Sequence, residues 1–396
     1  MSAAASQLLP PGSATLGMLG GGQLGRMFCH AAQTMGYDVV VLDPDAHSPA
    51  GAVAQRHICA AWDDAAALDA LAASCAAVSV EFENVPAAAL QALAGRCRLA
   101  PGAAAVAIAQ DRRREKELFA RCARQSSGVP PAPFMSIASE ADLAAVPPTL
   151  LPGVLKTARL GYDGKGQARV RSRTALADAW EALGRAPCVL EQMLPLAAEC
   201  SVIVARGADG QCVHLPVQRN THRAGILAAS EVYEGNVPAA LAQQAQAAAE
   251  DIARALDYSG VLCVEFFILD DDSLIVNEMA PRPHNSGHYS INACDVSQFE
   301  LQVRTLAGLP LPAPSQHSAA VMLNLLGQVW FEASGQPRTP PWAQVLALPG
   351  AHLHLYGKRE ARAGRKMGHL TFTAASAQQA RRQALRAASL LGIAPF

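Results

Sequence analysis

Two apolar segments on either side of a polar turn constrain the fold of this chain most. Residues 261–269 and 274–276 are apolar apart from Glu265, and the four residues between them are three aspartates and a serine. Apolar runs bounded by turn residues predict buried strands, and so short a connection predicts an antiparallel hairpin. The chain is therefore expected to contain a sheet with this hairpin in its interior.

The hairpin carries two carboxylates that its register would bring together. If Leu269 faces Leu274 across the turn, Glu265 lies opposite Glu278, because each glutamate is four residues away from one of these leucines. Facing residues have Cβ atoms about 4.5–5.5 Å apart, and like charges there repel. A Mg²⁺ ion that also holds phosphate groups would satisfy both carboxylates. The alternative is a register shifted by one residue, in which one glutamate faces water.

The segment that follows the second strand is a candidate site. Arg282, His284, Asn285 and His288 come within ten residues of Glu278, and no other charged side chain lies among them. A guanidinium, two imidazoles and an amide directly after a buried strand are suited to binding anions and to moving protons. This segment is therefore expected to line a site.

A glycine-rich turn opens the first α/β unit of the chain. Residues 15–19 are predicted to form a strand, a helix follows, and the next strand ends at Asp43. Gly20, Gly22 and Gly25 satisfy the G-x-G-x-x-G pattern of dinucleotide-binding folds, and Asp43 lies near the position of a ribose-binding acid. Glycines after a strand also let backbone N–H groups approach any phosphate. The motif therefore predicts an α/β domain with an anion site, of which NAD is one possible occupant.

A second glycine-rich segment lies between two predicted strands. Lys156 ends the strand 153–156, and the loop 161–167 contains three glycines and Lys165 before the next strand begins. The N–H groups of such a loop and a nearby ammonium group can hold phosphates. No helix follows the loop, so it is not a Walker sequence. The alternative is a plain hairpin turn.

Three further polar segments have both functional and solvated interpretations. Glu81 and Glu83 end the predicted strand 77–85, and open α/β sheets bind ligands at the carboxyl ends of their strands. The predicted helix 111–124 begins with six charged residues, most of which are expected to face solvent. The basic loop 362–369 could hold a phosphate.

Composition narrows the class of protein. A chain of 396 residues with 51% hydrophobic residues, 16% charged residues and a net charge of −1 is expected to be a soluble protein of two or three domains, without a general nucleic-acid or membrane surface. No apolar run approaches the length of a membrane span. The ten cysteines include no C-x-x-C pair, which favours reduced thiols in a cytoplasmic protein over a disulfide framework or a zinc site. Residues 1–14 are predicted to be a flexible extension and not a signal peptide.

Taken in order, these motifs resemble the ATP-grasp superfamily. In that superfamily an α/β domain that opens with glycines precedes a lysine, a glycine-rich hairpin over ATP and a metal-binding carboxylate hairpin. More narrowly, residues 20–27, 161–167, 277–288 and 356–369 are similar to the N5-carboxyaminoimidazole ribonucleotide synthase family. The similarity covers nearly the whole chain after about Thr15.

The resemblance implies a fold and a domain organisation. The fold class is α/β (α+β), with an ATP-grasp fold, an N-terminal Rossmann-like domain and a small C-terminal domain. The implied domains are 15–110 for the N-terminal domain, 111–310 for the ATP-grasp domain with a lid at about 130–190, and 311–396 for the C-terminal domain.

The resemblance also implies an activity. The family joins 5-aminoimidazole ribonucleotide and bicarbonate at the expense of ATP, which gives N5-carboxyaminoimidazole ribonucleotide, ADP and phosphate through carboxyphosphate, in purine biosynthesis. The implied cofactors are ATP and Mg²⁺. The implied partners are these small molecules, with no nucleic acid and no membrane, and the implied assembly is a cytoplasmic homodimer.

Residues that match family positions take implied roles. The catalytic residues are Arg282, His284 and Lys358, and the metal ligands are Glu265 and Glu278. Contacts to ATP are assigned to Arg112, Lys156, Gly161, Tyr162, Asp163, Gly164, Lys165, Gly166, Gln167, Glu191, Gln192, Met193, Leu194, Glu199, His222, Asn277 and Glu278. Contacts to the ribonucleotide are assigned to Gly22, Gln23, Leu24, Glu83, Asp163, Asn285, Lys358 and Arg365. Which basic residue of the segment 112–116 reaches ATP is left open.

Other functions compete with this one. A formate-using glycinamide ribonucleotide transformylase and a biotin-carboxylase-like enzyme share the ATP machinery and differ in the acceptor. An NAD-dependent oxidoreductase would depend on Gly20, Gly22, Gly25 and Asp43, and would leave the carboxylate hairpin unexplained. A non-catalytic nucleotide sensor is the remaining alternative.

Overall fold

The computed structural model describes residues 8–161 and 165–396. The predicted loop residues Tyr162, Asp163 and Gly164 and the first seven residues of the predicted extension lie outside this part of the chain. No helix in the described part is both long enough and apolar enough to cross a membrane.

The first domain is a parallel sheet with helices packed on it. Its five strands lie in the order β3-β2-β1-β4-β5. The strands are β1 Thr15–Leu19, β2 Asp38–Leu42, β3 Arg56–Ile58, β4 Ala77–Val80 and β5 Arg98–Leu99, and the helices are α1 Gln23–Thr34, α2 Ala65–Ser74, α3 Ala87–Leu93 and α4 Ala103–Ala109. β4 is shorter than the predicted strand 77–85, so Glu81 and Glu83 lie in the loop at the carboxyl edge of the sheet.

From Leu9 onward, the chain before β1 is hydrogen-bonded to Tyr37 of this domain and to Ala307 of a later helix. The Leu9 N–H donates to the Ala307 carbonyl at 2.9 Å, and the Tyr37 hydroxyl donates to the Leu9 carbonyl at 2.6 Å. The prediction of a flexible extension through residue 14 is corrected to this extent, because apolar Leu9 packs against the core of the domain.

A small antiparallel sheet follows the helix α5 Arg112–Cys122. Its strand order is β6-β9-β7-β8. The strands are β6 Phe134–Ile137, β7 Gly153–Thr157, β8 Gln167–Val170 and β9 Cys188–Gln192, and the helices α6 Glu140–Ala145 and α7 Arg173–Ala182 cover one face. The glycine-rich segment connects β7 to β8, as the sequence predicts for a hairpin loop.

A larger antiparallel sheet carries the rest of the chain. Its order is β15-β14-β10-β12-β13-β16-β18-β17, with β11 paired to β10. The strands are β10 Leu196–Arg206, β11 Cys212–His214, β12 Gln218–Arg223, β13 Ile226–Val232, β14 Gly260–Leu269, β15 Leu274–Ala280, β16 Ala319–Leu326, β17 Ala351–Leu355 and β18 Lys366–Ala374. The helices of this part are α8 Ala239–Ala255, α9 Ser290–Ala293, α10 Gln298–Ala307, α11 Trp342–Leu346 and α12 Ala377–Leu391. Because β16 pairs with β13, the strands of the last segment continue the sheet that contains the carboxylate hairpin.

The hairpin β14–β15 confirms the pairing of Glu265 with Glu278 but not the pairing at its turn. Ile268, and not Leu269, faces Leu274, which displaces the register by one residue at the turn. A bulge at Asn277 on β15, where the consecutive residues Glu265 and Phe266 of β14 face Glu278 and Val276, restores the predicted register. A bulge inserts one extra residue into one strand of a pair, so both glutamates still point to the same face of the sheet.

Candidate active site

One cavity of about 670 Å³ gathers side chains from the three parts of the molecule. The carboxyl edge of the parallel sheet forms one wall, the carboxylate hairpin with the segment after it forms the second, and the loop between β17 and β18 forms the third. Residues 157–161 and 165, between β7 and β8 of the small sheet, form the fourth. The predicted site residues that line it are Gln23, Leu24, Glu83, Arg112, Gly161, Lys165, Glu265, Glu278, Arg282, His284, Asn285, Lys358 and Arg365. Segments far apart in sequence are therefore neighbours around a single space.

The pKa values of the two hairpin carboxylates shift in opposite directions because their neighbours differ. Burial and the neighbouring Glu278 carboxylate raise the pKa of Glu265 to about 8. Burial acts in the same direction on Glu278, but Arg112, whose guanidinium lies 3.3 Å from Glu278 Oε2, and two nearby lysines hold the pKa of Glu278 below its usual value. Glu265 Oε1 lies 3.2 Å from His284 Nε2 but accepts no hydrogen bond of good geometry from the described residues. A divalent cation would supply the missing partner, so the pair fits a magnesium site.

Arg112 belongs to a helix face that is more deeply buried than the sequence suggests. Glu115 and Lys116, one turn further along α5, are 3% and 0% exposed. The Lys116 ammonium donates to Glu191 Oε2 at 3.0 Å and to the Asn277 carbonyl at 2.7 Å, and the Met279 N–H donates to Glu115 Oε1 at 2.7 Å. The expectation that most of these charges face solvent is wrong here, because α5 packs against the hairpin strand. The spacing of residues 115, 116, 119 and 122 on one helix face is the sequence signal that could have identified Lys116.

Lys156 and Glu191 complete a buried charge cluster behind the cavity. The Lys156 ammonium also donates to Glu191 Oε2, at 3.0 Å, so two lysines share one carboxylate oxygen. Burial alone would raise the pKa of Glu191, but the charges of Lys116, Lys156 and Arg112 outweigh burial and lower it to about 2. Burial lowers the pKa of Lys156 against the opposing effect of Glu191. The cluster has excess positive charge beside Glu278, which suits the phosphates of a nucleotide.

The other predicted nucleotide contacts lie along the strands near this cluster. Gln192 and Met193 follow Glu191 on or after β9, and their N–H groups donate to the carbonyls of Pro133 and Pro152 at 2.9 Å. Leu194 packs in a small apolar cluster, and Gly166 and Gln167 lie at the end of the β7–β8 loop. None of these residues lines the cavity described above.

Glu199 and His222 form an ion pair on β10 and β12. Burial lowers the pKa of His222, but the hydrogen bond with Glu199 and the charges of Glu265 and Glu278 outweigh it and raise the pKa to about 9. His222 is therefore a cation at neutral pH, placed near the acidic hairpin. A fixed positive charge at this position is compatible with a contact to phosphate.

Arg282 and His284 extend from the hairpin into the cavity. The Arg282 guanidinium pairs with Glu83 of the first domain and donates to the Pro283 carbonyl at 3.1 Å. His284 Nδ1 lies 2.9 Å from the Ser286 hydroxyl oxygen, and Nε2 lies 3.2 Å from Glu265 Oε1. Burial, followed by the charge of Arg282, holds the pKa of His284 well below its usual value. A neutral imidazole beside a guanidinium can take up a proton or position an anion.

Asn285 offers an unused amide to the cavity. Its side chain is 6% exposed, and neither its Oδ1 nor its Nδ2 has a hydrogen-bond partner in the part of the chain that the structure describes. A buried amide normally finds a partner, so this arrangement favours a bound polar ligand.

The glycine-rich turn after β1 holds carboxylates of the protein itself. The N–H groups of Gly22, Leu24 and Gly25 donate to the Glu81 carboxylate at 2.8, 3.2 and 3.2 Å. The Gly21 N–H donates to Asp43 Oδ2 at 2.7 Å, so Asp43 is engaged by the turn. The anion site predicted at this helix N-terminus therefore exists but has an internal ligand. The side chains of Gln23 and Leu24 line the cavity, while Gly22 contributes its backbone to the Glu81 contact.

The third wall of the cavity is basic. Lys358, Arg362, Arg365 and Lys366 line it together. The Lys358 ammonium donates to the Lys366 carbonyl at 2.8 Å, and the Arg365 guanidinium donates to the Glu360 carbonyl at 2.8 Å. Hydrogen bonds within the loop therefore stabilise its conformation. Four cations on one wall favour an anionic group such as a phosphate.

Matches to protein families agree with this architecture. A ribonucleotide synthetase preATP-grasp domain matches residues 13–110, an ATP-grasp domain matches 122–299, and a phosphoribosylaminoimidazole carboxylase C-terminal domain matches 320–383. Together with the carboxylate hairpin and the lysine cluster, these matches define an ATP-grasp enzyme.

Individual relatives identify the family. The N5-carboxyaminoimidazole ribonucleotide synthase of Brucella melitensis is 45% identical over 370 residues, which cover 92% of this chain and 97% of the relative. That of Bacillus subtilis is 39% identical over 367 residues, which cover 92% of this chain and 93% of the relative. The chain belongs to the N5-carboxyaminoimidazole ribonucleotide synthase family.

Solved structures of similar proteins contain nucleotides and substrate. The synthetase from Staphylococcus aureus complexed with ADP superimposes with a TM-score of 0.86 at 37% identity, over 96% of this chain and 98% of the other. The Aspergillus clavatus synthase in complex with ADP and 5-aminoimidazole ribonucleotide superimposes with a TM-score of 0.85 at 32% identity, over 96% of this chain and 99% of the other.

Proposed function

We propose that this protein carboxylates 5-aminoimidazole ribonucleotide with bicarbonate at the expense of ATP, which yields N5-carboxyaminoimidazole ribonucleotide, ADP and phosphate. The observation that carries the proposal is the single cavity, which has the acidic hairpin on one wall and four basic side chains on another. Such a cavity can hold a metal–nucleotide at one end and a phosphorylated acceptor at the other. Family membership supports the same acceptor.

The reaction needs activation because bicarbonate is a poor electrophile. Transfer of the γ-phosphoryl group of ATP to a bicarbonate oxygen gives carboxyphosphate and ADP, and the exocyclic amine of the ribonucleotide then attacks its carbon, or CO₂ released from it, as phosphate leaves. Phosphoryl transfer depends on positioning and on neutralised charge. The chain supplies both through fixed cations around the hairpin.

The residues have distinct parts in this scheme. Glu265 and Glu278 would hold Mg²⁺, which neutralises the phosphate oxygens when bound. Lys156 and Arg112 lie beside Glu278 and would contact the phosphates of ATP. The strand 191–194, Glu199, His222, Asn277 and the loop 161–167 stay assigned to the nucleotide through the family resemblance.

The acceptor side is assigned to the opposite walls. Arg282 and His284 would hold bicarbonate or carboxyphosphate, and neutral His284 is able to take the proton of the attacking amine. Lys358 and Arg365 would bind the phosphate of the ribonucleotide, while Asn285 and Glu83, with residues 22–24, would contact the rest of it. The domain boundaries, a homodimeric state and a cytoplasmic location also stay predictions from the resemblance.

The test is ADP release by the purified protein with Mg-ATP and bicarbonate, with and without 5-aminoimidazole ribonucleotide. We expect ADP formation that depends on the ribonucleotide, is matched by phosphate, and incorporates labelled bicarbonate into product. If the ribonucleotide has no effect on ADP release, the acceptor assignment fails while the ATP-grasp assignment stands.

Replacement of one hairpin carboxylate tests the metal site. Glu278→Gln is expected to abolish ATP turnover while the protein stays folded, because the amide cannot replace an anionic oxygen ligand of Mg²⁺. The matched control is Asp270→Asn, an exposed carboxylate at the turn of the same hairpin, which should keep wild-type turnover. Undiminished turnover of Glu278→Gln with unchanged Mg²⁺ dependence would remove the hairpin assignment.

A further inference from the structure

A cysteine, a glutamate and a histidine converge beside the hairpin although the sequence shows no zinc pattern. Cys263 and Glu265 are two residues apart on β14, so their side chains point to the same face of the sheet. His284, from the segment after β15, approaches the same face. The Cys263 sulfur, a Glu265 carboxylate oxygen and a His284 ring nitrogen all lie within 4.8 Å of one another.

These distances are close to those of a metal site. Ligand atoms about 2.0–2.3 Å from a tetrahedral Zn²⁺ ion are about 3.3–3.8 Å apart. The Glu265 Oε1 to His284 Nε2 distance is already 3.2 Å. A small movement of the Cys263 side chain would complete a three-ligand site.

A second observation points to a ligand at this position. Glu265 is 8% exposed, and its Oε1, which lies 3.2 Å from His284 Nε2, accepts no hydrogen bond of good geometry from the residues that the structure describes. Glu265 and His284 line the cavity, whereas Cys263 lies behind them and is 0% exposed. An ion could therefore enter from the cavity, bind all three groups and keep a fourth position open.

The three donor atoms of this site are not those that Mg²⁺ prefers. Mg²⁺ prefers oxygen ligands in octahedral geometry, whereas a sulfur, a ring nitrogen and one carboxylate oxygen suit Zn²⁺ and Co²⁺. Glu265 is shared with the magnesium pair proposed above, so the two ions compete for it.

We propose that Cys263, Glu265 and His284 form a binding site for a thiophilic divalent cation such as Zn²⁺, and that occupancy of this site inhibits the enzyme by displacing Mg²⁺ from Glu265. On binding, the Cys263 S–H bond breaks and a sulfur–metal bond forms, and the thiol proton passes to solvent together with the carboxyl proton of any protonated Glu265. The inhibition depends on the proposed function, but the binding does not.

The binding test uses Co²⁺ as the probe and needs no substrate. Wild-type protein titrated with Co²⁺ is expected to show a near-ultraviolet thiolate-to-cobalt charge-transfer band that saturates at one ion per chain. Cys263→Ala and Cys263→Ser should lose the band. The matched control is Cys200→Ala, a buried cysteine on the neighbouring strand β10 that packs in a different apolar cluster, and it should keep the band.

Either of two results would overturn the proposal. If Co²⁺ produces no thiolate band, or if Cys200→Ala removes the band as completely as Cys263→Ala does, the assigned site is wrong. Should both Cys263 variants fail to fold, the ¹¹³Cd NMR shift of the wild-type complex decides the matter, since a site with one sulfur ligand and a site with none have different shifts.

The inhibition test compares Zn²⁺ titrations of turnover at several Mg²⁺ concentrations. For the wild type, the Zn²⁺ concentration for half-inhibition should rise with Mg²⁺. Cys263→Ala should keep basal turnover and need at least about tenfold more Zn²⁺, because even outer-shell partners of a metal site contribute about 10–100-fold to affinity. Equal Zn²⁺ sensitivity of the two proteins would refute the mechanism. A cobalt band in a protein without ligase activity would instead uphold the site and refute the proposed function.

Discussion

At the scale of single residues, the partners of a buried carboxylate decide the direction in which its pKa shifts. Glu115 and Glu191 lie on neighbouring elements, yet their pKa values move in opposite directions. Burial raises the pKa of Glu115 to about 7 although Arg112 and Lys116 oppose it, whereas the lysines that contact Glu191 lower its pKa to about 2. A direct hydrogen bond to an ammonium group, which Glu191 has and Glu115 lacks, accounts for the difference.

The raised pKa of Glu115 predicts a pH-dependent stability. A group with a higher pKa in the folded state stabilises the fold fully below its unfolded pKa of about 4.5, and this contribution is lost as pH rises through about 7. Glu115→Gln keeps an oxygen that can accept from the Met279 N–H but cannot ionise. Its free energy of unfolding should therefore exceed that of the wild type by an amount that grows between pH 5 and 8 and reaches about 1–3 kcal/mol at pH 8. The difference in melting temperature between the two proteins should grow over the same range. A difference in melting temperature that is constant across this pH range would contradict the assignment.

A second residue-scale prediction concerns the tautomer of His288. The Gln298 Oε1 accepts from the His284 N–H at 2.9 Å, so its Nε2 must be the donor to His288 Nδ1, at 2.9 Å. His288 is thereby fixed as the neutral tautomer with its proton on Nε2, and burial holds its pKa well below the usual value. Nitrogen-15 NMR of labelled histidine should show an unprotonated Nδ1 at pH 7 and still at the usual pKa of a histidine.

The matched variants for this prediction lie on α10. Gln298→Glu replaces the donor with a carboxylate oxygen and should shift His288 towards the protonated form. Gln302→Glu, one turn further along, changes contacts to Ser79 and Val80 instead and should leave the His288 spectrum unchanged. Protonation of His288 Nδ1 in the wild type at pH 7 would show that the amide orientation is wrong.

At the scale of elements, the hairpin shows what sequence can and cannot predict. Its two strands and the pairing of Glu265 with Glu278 follow from apolar runs and the turn between them. The bulge at Asn277 does not, because a one-residue insertion in the ladder leaves the pattern of apolar residues intact. The predicted register was right at the glutamates and wrong at the turn for this reason.

The helix α5 shows burial that the sequence does not predict. Its charged start is typical of a solvated face, yet Lys116 is fully buried, because strands distant in sequence supply its partners. Glu81 is similar, since its contact with the glycine-rich turn depends on β1 and β4 lying side by side. Long-range partners of this kind leave no signal in a local pattern.

Replacement of Lys116 is therefore expected to destabilise the protein strongly, because this one side chain of α5 connects two other elements. It joins α5 to β9 through Glu191 and to β15 through the Asn277 carbonyl. Lys116→Met should lower the free energy of unfolding by about 3–5 kcal/mol, because a buried pair is broken and a carbonyl loses its donor. Arg114→Met, at an exposed position of the same helix, should change it by less than about 1 kcal/mol. Urea denaturation measures both, and equal effects would contradict a structural role for the buried cluster.

At the scale of the whole molecule, the cavity requires the parallel-sheet domain to be held against the large sheet. The helix α10 makes this connection. Its residues Val303, Leu306 and Ala307 belong to the same apolar cluster as the core of the first domain, and Gln302 donates to the Ser79 hydroxyl at 3.0 Å. A shared core makes the two parts one folding unit, whereas the small sheet β6–β9 has an apolar cluster of its own.

The shared core predicts that these two parts unfold together. Leu306 is 0% exposed, and Leu306→Ala should destabilise the protein by about 2–5 kcal/mol, as is typical when a buried leucine is truncated. Because α10 serves both parts, calorimetry should show one main transition that moves as a whole to lower temperature. Leu346→Ala, at a leucine that is 49% exposed, is the control and should move it little. Two separate transitions, of which Leu306→Ala shifts only one, would contradict this prediction. They would show that the parallel-sheet domain and the large sheet unfold independently.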